Sequence, residues 1–166
     1  MTAQVPGPSV AGRNNAAKDT TMQHAADYDT GNVFARILRG ELPCVPVYED
    51  ELTLAFMDIM PQTDGHALVI PKYGAADLFS LPAEYFAATL ATTQRVAAAV
   101  REAFAAPGIM IAQLNGAAAG QTVFHLHFHI LPRFTGVEFR MHARDMADRA
   151  VLETHARRIR AALDNA

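Results

Sequence analysis

The chain has 166 residues, with 14 basic and 17 acidic side chains for a net charge of -3. That length suits one main core, and the balanced charge, with no basic stripe, gives no electrostatic basis for nucleic-acid binding, so a small-molecule partner is expected. The single cysteine, Cys44, allows neither an intramolecular disulfide nor a Cys-x-x-Cys metal knuckle, which fits a reducing, cytoplasmic setting, and no apolar run approaches the roughly 18 to 20 residues that cross a bilayer.

Residues 1–30 carry Pro6, Gly7, Pro8, Gly12, Asn14 and Asn15 among small polar residues. With no apolar periodicity to offset the entropy of ordering, they read as a disordered leader ahead of a domain over residues 31–166, and His24 is given no role. From Asn32 onward Val33, Phe34, Ile37 and Leu38 recur at helical spacing until Gly40 stops the turn. Three extended segments follow, over residues 45–48, about 52–58 and 66–70, with the acidic run 49–51 suiting a hairpin turn and Pro61 and Pro71 as stops. Ser80 and Pro82 open a long alanine-rich helix to about residue 104, with Phe86, Leu90, Ala97, Val100 and Phe104 on one stripe. Strands over 109–114 and 124–131 come next, then a last helix over about 144–163 with Leu152, Ala156, Ile159 and Leu163 on one side. The sum is an α+β fold: a five-stranded antiparallel sheet with a short N-terminal helix, a long central helix and a C-terminal helix.

The informative stretch is 124–131, in which Phe124, Leu126, Phe128 and Ile130 alternate with His125, His127 and His129. A strand sends alternate side chains to opposite faces, so the apolar set enters a core while three imidazoles form one row. On a helix His127 would point away from the other two. Outer histidines about 13 Å apart could hardly share one tetrahedral zinc on a regular strand, so chemistry other than chelation is expected. Mutual repulsion disfavours joint protonation, and a neutral imidazole is a nucleophile. The preceding loop, 115–122, is built of small residues between Asn115 and Gln121, which lets backbone approach a ligand and present N–H groups to an anion. Phosphate beside histidine is the natural reading.

These residues resemble the histidine triad nucleotide-binding proteins, whose signature of three histidines alternating with apolar residues is met at every position from His125 to Leu131. The likeness extends over residues 34–133, through Gly40-Glu41-Leu42-Pro43, Phe56-Met57-Asp58-Ile59, the run from Gly65 to Lys72, and Gly120-Gln121-Thr122-Val123. Two of these stretches look most like the Hint branch of purine nucleoside phosphoramidases, while Gln121-Thr122-Val123 with Leu131-Pro132-Arg133 is shared with Fhit-like dinucleoside polyphosphate hydrolases. The resemblance implies that His127 attacks the α-phosphorus to form a nucleotidyl-histidine that water resolves. It also implies that His125 and His129 manage charge and protons, His129 helping the leaving group depart with Thr122 near it, and that His66 supports His125. Amides around Gly120 and Gln121 would hold phosphate, Asn115 would sit by phosphate or ribose, Asp58 would take the ribose hydroxyls, and Phe34, Ile37 and Ile59 would line a base pocket.

The scheme requires no cofactor and no metal, and the partners implied are a purine nucleotide and a second copy of the chain in a homodimer; no membrane is implied. Two departures stand out. Asn32 and Ala35 occupy the places where many bacterial relatives carry a zinc-binding Cys-x-x-Cys pair, and the loop before His125 is one residue shorter than in the Hint branch. His142 and His155 lie outside the motif and read as surface residues. Besides hydrolysis of a phosphoramidate or adenylylated conjugate, Fhit-like hydrolysis, a non-catalytic nucleotide-binding role, a metal hydrolase and nucleotidyl transfer remain open at this stage.

Overall fold

The computed structural model describes residues 22–137 and 145–165. Five strands form one antiparallel sheet: β1 (Pro46–Glu49), β2 (Thr53–Met57), β3 (Ala67–Pro71), β4 (Gly108–Gln113) and β5 (Phe128–Arg133), in the order β1-β2-β3-β5-β4. The helices are α1 (Val33–Leu38), α2 (Ala83–Ala103) and α3 (Arg149–Asp164). The expected α+β architecture is the observed one. His142 and Arg144 lie outside the described residues, and the last helix starts at Arg149 rather than about 144, because the Asp148 side chain caps it there by accepting from Ala150 N–H.

Alternation along the strands divides the molecule into two cores. Ala55, Met57, Ala67, Val69, Phe128 and Ile130 face α2 and α3, whose Val96, Val100, Leu152, Ala156, Ile159 and Leu163 complete the larger core. Leu54, Phe56, Leu68 and Ile70 point the other way and meet Phe34 from α1. Burying even one such side chain contributes about 1.5 to 3 kcal/mol, so the α2/α3 side carries most of the hydrophobic stabilisation. The α1 side, thinner and more polar, is where the histidines emerge.

The buried face of α2 differs from the expected stripe. Thr89, Thr92, Thr93, Val96, Ala99 and Val100 are buried, and Leu90 is 46% exposed. Threonine can be buried here because its hydroxyl finds a partner. Thr89 Oγ1 donates to the Tyr85 carbonyl at 2.6 Å and Thr93 Oγ1 to the Thr89 carbonyl at 2.8 Å, leaving their methyls to pack. Thr92 meets Thr53 of β2 at 2.9 Å, and Thr53 in turn donates to Asp50 at 2.9 Å. His155 is buried rather than on the surface, with its ring edge-on to Phe104 at 5.2 Å.

The histidine segment also departs from a simple strand. The ladder of β5 begins only at Phe128, with Val69 opposite Phe128, Leu68 opposite His129 and Ala67 opposite Ile130. The chain bends over residues 123–125 rather than continuing the pairing, and His125 places its ring nitrogen on the carbonyl of Pro71, where β3 ends. Leu126 N–H turns instead to the Ala75 carbonyl at 2.7 Å. Alternation survives nonetheless: Leu126 joins the larger core with Phe128 and Ile130, while Phe124, expected inside, is 43% exposed.

Residues 22–30 are part of this packed body, not a leader. A short parallel bridge joins Gly74 to the segment, with Gly74 N–H donating to Gln23 at 2.7 Å and Ala25 N–H donating to Gly74 at 2.8 Å. Tyr28 at its end is buried. No helix among the described residues is long and apolar enough to cross a membrane.

Candidate active site

The four histidines of the motif lie together on the α1 side of the sheet. The His127 and His129 rings sit 4.8 Å apart, centroid to centroid, at 67°, and His66 lies against His129 at 5.2 Å. Phe34 stands edge-on to His127 at 5.2 Å and to Phe56 at 5.4 Å, so a helix only six residues long delivers an aromatic wall to the cluster. Asn32 makes that helix possible in this short form, its side-chain oxygen accepting from the Phe34 and Ala35 N–H groups at 3.0 Å each.

Hydrogen bonds to groups of fixed polarity determine the tautomers. His127 Nδ1 lies 2.6 Å from the carbonyl oxygen of His125, which can only accept, so Nδ1 carries the proton and Nε2 a lone pair. His66 Nδ1 faces the Gln62 N–H at 3.2 Å, which can only donate, so the His66 proton is on Nε2. That proton points at His129 Nδ1, 3.0 Å away, which leaves His129 with its own proton on Nε2. His125 donates from Nε2 to the Pro71 carbonyl at 2.9 Å, and its Nδ1 accepts from the Tyr28 hydroxyl. His66 therefore braces the third histidine of the triad, not the first as the resemblance implied.

Burial keeps all four neutral. It pushes His66 down to about 3, helped by His129 and His127. It pushes His125 to about 4, against the opposing bond to Pro71, and His129 to about 4 with His127 adding to the effect. His127 is lowered by burial as well, its bond to the His125 carbonyl working the other way. Burial also holds the Tyr28 hydroxyl protonated, raising it to about 12. Asp58, one residue beyond β2 on the face of Leu54 and Phe56, is raised by burial to about 6 despite accepting from Met60 N–H at 2.8 Å. Its other oxygen stands 3.5 Å from His66 Nδ1; with His66 neutral this is a polar contact rather than an ion pair.

The loop before the histidines is braced from within. Gln121 is buried: its amide nitrogen donates to the carbonyls of Ala76 at 2.6 Å and Val123 at 3.0 Å, and its oxygen accepts from Gly116 N–H at 2.7 Å. Asn115 is engaged by Leu78 N–H at 2.8 Å and by Gln113. The N–H groups of Ala119, Gly120 and Gln121 end on the carbonyls of Gly116 and Ala117. The expected phosphate cradle around Gln121 is thus spent on shaping the loop in this conformation, with Gly120 at φ +92° closing the turn. Thr122, next along, is exposed. Ile37 packs under Phe34 in the smaller core, whereas Ile59 is 49% exposed at the rim, its carbonyl accepting from Ala147 N–H at 2.9 Å.

Sequence reading missed Tyr28, the Pro71 carbonyl and the Gln62 N–H. Only the first had a signal, a lone aromatic residue in a small polar segment just ahead of the helix cap. For metals, Asn32 and Ala35 do not fit a zinc of the Cys-x-x-Cys kind: one is a helix cap and the other a buried methyl. Both ring nitrogens of His125 are already taken. Asp58, His66 and His129 each bring a donor atom within 4.8 Å of the others, the one such group among the described residues, but two of the three already bond each other.

A five-stranded antiparallel sheet with three helices, carrying a row of neutral histidines beside the half-buried carboxylate of Asp58, defines the class of protein. The HIT domain family model matches residues 39–136, and the chain belongs to that family. A Hit-like protein of Bartonella henselae has a similar structure, with a TM-score of 0.77 and 47% identity over 81% of this chain and 98% of that one. A Zn-bound histidine triad family protein of Mycobacterium smegmatis gives 0.73 and 44%, over 82% and 95%. An adenosine 5'-monophosphoramidase of Schizosaccharomyces pombe is 42% identical over 101 residues, 61% of this chain and 73% of the relative.

Proposed function

We propose that the protein hydrolyses the α-phosphate bond of nucleoside phosphoramidates or adenylylated conjugates through a nucleotidyl-His127 and releases a nucleoside monophosphate. The observation that carries this is the opposed pair of tautomers: His127 Nε2 offers a lone pair while His129 Nε2, on the ring 4.8 Å away, offers a proton. The lone pair attacks phosphorus and the P–N or P–O bond to the leaving group breaks, the His129 Nε2–H hydrogen-bonding the departing atom while that atom takes its proton from solvent. The nucleotidyl-His127 then carries the positive charge of an imidazolium. Water attacks phosphorus, the P–Nε2 bond breaks, its electron pair returns to His127, and the water proton is released to solvent, replacing the one taken up by the leaving group. Asp58 accepts from the ribose hydroxyls and Phe34 with Ile37 forms the apolar floor beneath the base, a reading supported by the name of the S. pombe relative and by Asp58 ending the Leu54-Phe56 face.

The test is trapping with a labelled adenosine phosphoramidate. Label on His127 and loss of turnover in His127→Ala, with AMP binding retained, are expected. Label elsewhere, or turnover by His127→Ala within tenfold of wild type, refutes the scheme. A panel adding adenylylated lysine and diadenosine polyphosphates, compared by kcat/KM, separates the Hint-like reading from the Fhit-like one. For the second copy implied by the resemblance we propose the outer groove lined by Leu90 and Ile111, 46% and 43% exposed, with Ala87, Ala91, Ala97 and Ile109.

A further inference from the structure

Tyr28 lies eleven residues before the stretch matched by the family model. Its position is nevertheless tightly specified. Gly74 carries the two backbone bonds that dock the segment, and a Cβ added there would stand 2.5 Å from Tyr28 Cε1 and 2.6 Å from the Cβ of His24. Only a residue without a side chain lets the tyrosine ring pass over the turn that follows β3. The ring then meets His125 edge-on, centroids 5.5 Å apart at 72°, and the hydroxyl reaches Nδ1.

His125 is fully buried, and both its ring nitrogens are bonded, to Pro71 on one side and Tyr28 on the other. The Pro71 carbonyl, which can only accept, fixes the Nε2–H tautomer of His125. The Tyr28 hydroxyl adds a second anchor on that ring, and the carbonyl of the same residue holds the His127 Nδ1 proton. Remove the hydroxyl and His125 Nδ1 becomes a buried acceptor with no donor, its ring free to turn about the one bond left.

We propose that Tyr28, seated on Gly74, is a positioning residue that anchors the His125 ring and through it the orientation of the His127 nucleophile. This rests on the hydrolase reading above for its kinetic consequence, but not for its structural one. Tyr28→Phe keeps the ring packing and removes only the hydroxyl; Gly74→Ala keeps the hydroxyl but unseats the ring. Both variants are to be compared with the wild-type full chain by adenosine phosphoramidate turnover and by the imidazole 15N spectrum of His125.

In each variant kcat is expected to fall about ten- to a hundredfold with KM within about twofold, because aim rather than binding is lost. The wild-type His125 spectrum should show a protonated Nε2 and an unprotonated, hydrogen-bonded Nδ1, and in both variants the Nδ1 signal should move toward that of a nitrogen without a donor. The double variant should be no worse than the poorer single one, since both break the same link. Unchanged kcat in Tyr28→Phe, or a lower kcat with the His125 Nδ1 signal unmoved, overturns the proposal. If the wild-type protein does not turn over the phosphoramidate, the hydrolase reading falls instead. The 15N comparison then decides Tyr28 alone, a shifted Nδ1 upholding its role and an unshifted one removing it.

Discussion

Lowering the pH from 7 to 5 should destabilise the protein by an amount set by its buried histidines. His66 and His125 are both 0% exposed, and burial holds them near about 3 and about 4 against an ordinary 6.5. Because the folded values are the lower ones, the unfolded chain takes up protons first as the pH falls. The stabilisation is complete above about 6.5 and drains away until the pH passes below about 4 and 3. Over the interval from 7 to 5 the linkage amounts to about 2 kcal/mol for each of the two. Asp58 acts in the opposite sense: held up at about 6, it binds its proton in the folded state before the unfolded chain does and returns about 1 kcal/mol. His129, held near about 4 by burial, adds about 2 kcal/mol in the same sense as His66 and His125. The net loss is about 5 kcal/mol, a large fraction of the 5 to 15 kcal/mol that a domain has to lose. Urea unfolding at pH 7, 6 and 5, extrapolated to water, measures it. His66→Gln, neutral at every pH, should lose about a third of this histidine contribution to that slope. A stability that stays level within about 0.5 kcal/mol between pH 7 and 5 would refute the neutral, buried network on which the tautomer assignments depend.

Three further outcomes follow from the packing. Gly65 has φ +83°, and a Cβ there would lie 2.6 Å from the Phe104 ring, so Gly65→Ala should lower stability by about 2 to 4 kcal/mol, read as a fall in Tm, and should also disturb the adjoining His66. Thr53→Val strips Thr92 of its cross-layer partner and should cost about 1 to 3 kcal/mol in chemical denaturation. Adding Thr92→Val should recover part of the loss, because a matched apolar pair leaves no orphaned hydroxyl between β2 and α2. Leu90→Glu, on the outer groove, should leave the thermal midpoint of the isolated chain nearly unchanged while shifting sedimentation toward monomer; a species of unaltered mass would rule that groove out as the contact between copies.

Much of the architecture was legible because two periodicities are strong in this chain. The 3.6-residue recurrence of Leu152, Ala156, Ile159 and Leu163 placed the buried face of α3, and the two-residue alternation from Leu126 to Ile130 placed the histidines on one side of the sheet. What was illegible came from hydrogen bonds that periodicity does not encode. The inner face of α2 runs through threonines because each finds a carbonyl or another hydroxyl, and hydropathy alone favours Leu90 over Thr89 and Thr93. At the early end of the β5 ladder the chain bends and an imidazole takes the Pro71 carbonyl, an arrangement invisible in a strand pattern. Residues 22–30 are held mainly by polar bonds, to Gly74, Arg39 and Tyr85, and by one tyrosine, too little apolar content to register against a disordered composition.

Because the sheet is a single layer with helices α2 and α3 against one surface and α1 with the histidines on the other, neighbouring positions in β2 answer to different demands. Ala55 and Met57 serve the scaffold, while Leu54 and Phe56 between them support Phe34, the ring that stands against His127. The surroundings of the histidines can therefore drift through every second residue while the scaffold beneath stays intact, and inserting one residue into this strand would exchange the two sets and damage both.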